Sequence, residues 1–205
     1  MKSVLPVAAA FTIHRIRRIQ AITIAWMSVE AVVSLSAAWT AHSPALLAFG
    51  GDSAIELVSS AVVYWRFRSN RSDERTERIA AKITGSLLFT LAAYVALVAA
   101  LALRGQGEVR PSFLGIIVLI VAAVVMPLLA HQKSRLSAMT ASAALRADAA
   151  ESALCGYLSI IALAGLVARA FWGITWADPA AALCAIPLVA REGWETLRGK
   201  PCACC

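Results

Sequence analysis

The chain has 205 residues, 60% of them hydrophobic and only 15% charged, with a mean hydropathy of +0.74. That balance excludes an ordinary soluble domain. The net charge of +7 does not mark a nucleic-acid binder either, because Lys and Arg lie between apolar runs and form no basic domain of their own. Several runs reach the roughly 20 apolar residues needed to cross a hydrocarbon core of about 30 Å. The expected fold is therefore all-α, a polytopic membrane protein of about six transmembrane helices.

The first residues carry one Lys and a short apolar run, a weak likeness to a secretory signal, but Arg15, Arg17 and Arg18 follow at once and oppose its export. The first span is expected over residues 20–39, closed by the polar link 40–43. Pro44 suits the first turn of a second span, which runs to residue 65. A charged link over 66–78 leads to a third span over 79–103. Residues 104–111 contain Gly105, Gly107 and Pro111 and read as a turn before a fourth span over 112–130. A short basic link, 131–137, precedes a long fifth helix over 138–170, whose Ala-rich composition lets neighbours approach closely. The sixth starts at Asp178-Pro179, read as a helix cap followed by a first-turn proline, and its apolar stretch stops at Arg191, which is short for a span. Residues 171–176 offer an aromatic anchor at the outer surface.

Fourteen of the nineteen Lys and Arg residues fall in the N-terminal segment, the second and fourth links and the stretch from Arg191 to the C-terminus. Both termini are accordingly expected on the cytoplasmic side. Residues 1–198 read as one transmembrane domain and 199–205 as a cysteine-rich cytoplasmic tail. Three of the five cysteines, Cys202, Cys204 and Cys205, crowd that tail while Cys155 and Cys184 lie in apolar helices, which is no disulfide framework.

Ionisable groups inside apolar spans cost roughly 2.5–3.5 kcal/mol each on insertion scales, so their retention asks for a reason. Asp52 and Glu56 stand four apart on the second helix, and Asp148, Glu151 and Cys155 share one face of the fifth. At a rise of about 1.5 Å per residue the two groups can meet near the midplane, with Glu30 of the first helix at similar depth. Carboxylates converging in a low dielectric repel one another unless a cation or protons neutralise them. Two carboxylates from one helix with a carboxylate and a thiolate from another make a four-coordinate site of the kind Zn²⁺ accepts, and the thiolate favours zinc, cadmium or softer ions over magnesium or calcium. Gly50 and Gly51 would let another helix or the ion come close to Asp52.

Other residues have plainer readings. Asp148 is equally a partner for Arg146 or a loop amide and a ligand, Cys184 packs, Lys82 snorkels to the interface, and His14, His42 and His131 stand alone near membrane surfaces. The three tail thiols can capture a soft ion, carry lipid or be inert. No Ser/His, Cys/His or zinc-hydrolase constellation is present in the sequence, so an enzyme is not expected.

The stretches Ala48-Phe-Gly-Gly-Asp52-Ser-Ala-Ile-Glu56-Leu-Val-Ser-Ser60, Arg146-Ala-Asp148-Ala-Ala-Glu151-Ser-Ala-Leu-Cys155 and Trp176-Ala-Asp-Pro-Ala-Ala-Ala-Leu183 resemble the second, fifth and sixth helices of cation diffusion facilitators. The resemblance covers most of the chain to about Arg198 and implies a homodimer that exchanges cytoplasmic Zn²⁺, Cd²⁺ or Co²⁺ for protons by alternating access, multi-pass in a bacterial inner membrane, with no prosthetic cofactor. Carried over, the metal site is Asp52, Glu56, Glu151 and Cys155, with Asp148, Glu30, Cys202, Cys204 and Cys205 as further candidates. The family's zinc site is built from Asp and His, whereas Glu56, Glu151 and Cys155 stand here. Few residues follow the sixth helix, so the resemblance implies a short member without the usual cytoplasmic C-terminal domain. The rival expectations are a transporter of Hg²⁺ or Cu⁺, and a metal-binding membrane sensor or scaffold that moves nothing.

Overall fold

A computed structural model describes residues 4–69, 74–105, 109–140 and 142–198. The described residues form six α-helices: α1 (Val4–Ala41), α2 (Pro44–Ser69), α3 (Glu74–Leu103), α4 (Phe113–Thr140), α5 (Ala143–Trp172) and α6 (Ala177–Leu197). With backbone bonds satisfied inside each helix, apart from the carbonyls freed by Pro127 of α4 and Pro187 of α6, each can stand in hydrocarbon. Five are long and apolar enough to cross a membrane, over Thr12–Ala41, Pro44–Trp65, Lys82–Leu103, Phe113–Thr140 and Leu145–Trp172.

Charged residues at both ends keep α6 out of that set, but its aromatic residues mark its place. Trp39, Phe113, Phe171, Trp172 and Trp176 are exposed at one end of the bundle, and Trp65 and Trp194 at the end where the chain begins and finishes. Pro44 to Trp65 on α2 spans about 32 Å and Trp176 to Trp194 on α6 about 27 Å at the helical rise. Both match the thickness of a hydrocarbon core with aromatic belts at its two faces.

The helices are a bundle of close pairs, α1 with α2, α3 with α6 and α4 with α5, and α2 lies at its centre, touching α1, α3, α5 and α6. Gly50 allows this crowding: a Cβ there would meet Ser34 Oγ at 2.5 Å and the Leu35 backbone nitrogen at 3.0 Å, so α1 crosses α2 where α2 contributes no side chain. Gly51 does the same for the Leu91 side chain of α3. A smaller apolar cluster of Ile16, Ile19, Val63, Leu136 and Leu145 closes the terminal end.

Three boundaries differ from the sequence-based expectation. Residues 131–137 are no link, because α4 continues through them to Thr140. The break comes at Ser142, whose hydroxyl accepts the Leu145 N–H as the cap of α5. Helix α1 begins far ahead of residue 20, so Arg15, Arg17 and Arg18 are helical. Finally, α6 runs on past Arg191 to Leu197, and Asp178 does not cap it. The Asp178 carboxylate instead accepts the Ser43 hydroxyl at 2.5 Å and the Ala45 N–H at 3.2 Å, satisfying a free donor at the start of α2.

Candidate metal centre

Polar residues recur on one face of α2 at Asp52, Ser53, Glu56 and Ser60, and on one face of α5 at Asp148, Ser152, Cys155 and Ser159; all of these are buried. Because α2 and α5 are in contact, the two faces meet. Glu30 and Gln20 of α1, Lys133 of α4 and Glu192 of α6 are buried as well. These side chains sort into three groups.

In the first, Lys133 is fully buried with its ammonium 2.9 Å from Asp148 Oδ2 and 3.7 Å from Glu56 Oε1. It donates to the Ser152 hydroxyl at 2.7 Å, and Ser152 donates to Glu56 Oε1 at 2.5 Å. Asp148 also accepts from Gln20 Nε2 at 2.6 Å and the Ser60 hydroxyl at 2.8 Å. Asp148 is therefore the anchor of a buried ion pair and partners neither Arg146 nor a loop amide.

In the second group, Glu30 Oε1 accepts the Ser53 hydroxyl at 2.7 Å and the Cys155 thiol at 3.3 Å, with Ser53 Oγ 3.7 Å from the sulfur. Glu30 Oε2 has no partner.

The third group is a cavity lined by Asp52, Glu56, Glu151 and Glu192 together with Thr84, Ile55 and Leu88. It offers about 10 Å³, the least that admits one water or an ion of that size. Four carboxylates face it and no cationic side chain lines it. Asp52 lies within electrostatic reach of Glu56, Glu151 and Glu30, and Glu192 within reach of Asp52, Glu151 and Glu56. The outer oxygens Glu56 Oε2 and Glu151 Oε2 are buried without a hydrogen-bond partner. Such a cavity attracts a cation or protons.

Of the four residues expected to form the site, three line this cavity and Cys155 does not, since its sulfur points to Glu30. Among the described residues no three His, Cys, Asp or Glu side chains are close enough to hold an ion in one shell. His14, His42 and His131 are exposed, and Cys184, expected to pack, is exposed on the outer surface of α6. Cys202, Cys204 and Cys205 lie outside the described residues.

Two residues of the centre escaped the sequence reading. Lys133 was counted as a topology signal, though it continues the buried stripe of Met126, Leu129 and Leu136 on α4. Glu192 lay past the expected end of the sixth span, though it continues the stripe of Asp178, Ala182, Ala185 and Val189 at alternating steps of four and three.

The family model of the cation efflux transmembrane domain matches residues 21–199 of the chain. Comparison with curated proteins found no match. The matched stretch takes in all the acids of the cavity and the helices that carry them, and so the chain belongs to the cation efflux family, multi-pass integral membrane proteins that transport metal cations.

Proposed function

We propose that this protein exports a divalent transition metal, Zn²⁺ or the related Cd²⁺ and Co²⁺, in exchange for protons, and that Asp52, Glu56, Glu151 and Cys155 hold the ion midway across the membrane. The observation that carries this reading is the cavity between α2, α3, α5 and α6, where carboxylates from three helices converge with no cationic side chain among the lining residues. A divalent ion offsets the repulsion among these acids, and the protons they would otherwise share leave as it binds. Cys155 stands one turn beyond Glu151 on α5. It joins the shell by giving up its hydrogen bond to Glu30, which makes the thiol a ligand of the loaded state and supports zinc or cadmium over magnesium. A homodimer in a bacterial inner membrane is the assembly and location this reading carries with it.

The test is flux into vesicles under an imposed proton gradient for zinc, cadmium, cobalt, manganese and mercury, with calorimetry of Asp52→Asn, Glu151→Gln and the double variant. Each single substitution should abolish most zinc binding, and the pair should be far from additive, because ligands of one ion act as a unit. Wild-type affinity in either single variant, or two small additive losses, returns these acids to structural roles. Flux confined to mercury selects the soft-metal reading that the buried Cys155 favours; binding without flux selects a sensor or scaffold.

A further inference from the structure

We infer that Glu192 of α6 is a metal ligand in its own right: of the carboxylates that line the cavity, it is the first a divalent cation meets from the terminal end of the bundle, ahead of the site on α2 and α5. The inference rests on the transport reading above.

Glu192 is 5% exposed and lines the cavity, where Glu56 Oε2 and Glu151 Oε2 are buried without a hydrogen-bond partner. Its neighbours across the cavity are the acids Asp52, Glu56 and Glu151 and the Thr84 hydroxyl. The adjacent cation on its own helix, Arg191, is turned outward, where its Nε pairs with Glu195 at 2.8 Å. A negative charge in the last turns of a helix also opposes the helix dipole. Burial, repulsion by neighbouring acids and the helix dipole all act against an acid here, so a purely structural role leaves Glu192 unexplained; a cation in the cavity offsets all three penalties at once.

Its level along the pathway follows from helix arithmetic. Glu192 stands two residues before Trp194 of the terminal-side aromatic belt, about 3 Å along α6. Glu56 and Asp52 stand nine and thirteen residues before Trp65 of the same belt, about 14 and 20 Å along α2. The cavity therefore joins a carboxylate near the membrane face to carboxylates deep within it. The position of Glu192 is fixed from behind: a Cβ on Gly193 would meet the Gly85 carbonyl oxygen at 3.2 Å, so α6 rests on the backbone of α3 at the next residue. Thr84, beside Gly85, places a hydroxyl at the same wall. Among the described residues the donors at this level are all oxygen, which any divalent transition metal accepts, while the soft donor Cys155 lies deeper. Capture at Glu192 is thus unselective, and discrimination among metals falls to the inner site.

The experiment compares full-length wild type, Glu192→Gln, Glu192→Asp and Asp52→Asn in vesicle flux and in zinc calorimetry, with thermal melting with and without Zn²⁺ as a control for folding. Glu192→Gln should raise the half-saturating zinc concentration for flux about tenfold or more, the scale typical of weakened metal sites, with a smaller fall in maximal rate. It should also shrink the Zn²⁺-dependent shift in melting temperature, and Glu192→Asp should recover much of both. Half-saturation and melting shift unchanged in Glu192→Gln overturn the inference, as does a fall in maximal rate alone. Asp52→Asn reads the underlying site separately: undiminished zinc binding there refutes the inner site and leaves the Glu192 result to be judged by calorimetry and melting.

Discussion

Around Lys133 every acid has a partner, with Asp148 engaged by an ammonium, an amide and a hydroxyl, and Glu56 Oε1 by Ser152. In the cavity beside it, Asp52, Glu151 and Glu192 face one another across a space lined by no cation. The two regions use the same residue type on the same helices, and Asp148 and Glu151 are only three positions apart. What separates them is how closely a neighbouring helix brings a permanent positive charge: Lys133 touches Asp148, stands 3.7 Å from Glu56 and reaches Glu151 only through its field. An acid with a resident cation holds helices together, and an acid without one waits for a mobile ion. Glu56 belongs to both, with one oxygen tied into the Lys133 network and the other, Oε2, unpartnered.

The largest effect that would break this comparison comes from removing the resident charge. Lys133→Met should destabilise the protein by about 3–5 kcal/mol, because Asp148 is left buried and uncompensated. Adding Asp148→Asn should restore much of that loss, a coupling visible as non-additive denaturation midpoints in detergent. An unchanged midpoint in Lys133→Met would show that the pair stabilises nothing.

A smaller effect sharpens the comparison at Asp178, an acid held by neutral donors with Arg169 only within electrostatic reach. Asp178→Ala strands the Ser43 hydroxyl and the Ala45 N–H and should cost about 1–3 kcal/mol while zinc affinity measured by calorimetry stays at the wild-type value. A loss of affinity would connect the far end of the bundle to the site.

The smallest change in stability is expected for Cys155→Ser, which keeps a donor to Glu30. Its effect should appear in selectivity, as weaker zinc and cadmium binding relative to manganese and cobalt in a competition titration. An unaltered preference would place Cys155 in packing, alongside Ser53 and Glu30.

Periodicity made the faces of α2 and α5 legible, since Asp52 with Glu56 and Glu151 with Cys155 repeat at a helical turn whatever lies opposite. Helix number and the aromatic anchors followed from length and amphipathic side chains in the same way. Partners across helices were another matter. Asp178 has the local form of a cap, yet its partners Ser43 and Ala45 are more than 130 positions away in sequence. Lys133 looked like part of a basic link because hydropathy falls there, and only the packing of α4 on α5 turns it inward. Glu192 was hidden by the neighbouring Arg191, whose charge ended the apolar stretch although it points the other way. Cys155 was expected beside Glu151, but the sequence cannot register that Glu30, 125 positions earlier, takes its thiol as a hydrogen-bond donor.

The glycine crossing of α3 and α6 has a mechanical consequence. A Cβ on Gly85 would meet the Leu197 side chain at 2.7 Å and the Gly193 carbonyl oxygen at 2.9 Å, so the two backbones approach directly at the paired glycines, with Leu197 packed beside them. Side chains act as compliant spacers that absorb small displacements by changing rotamer; a bare backbone contact has no such slack. A pull exerted on the α6 main chain beside Gly193 is therefore expected to pass to α3 with little slack at this crossing. A methyl group inserted at either glycine would act as a shim, tilting the pair and resetting the width of the acidic cavity.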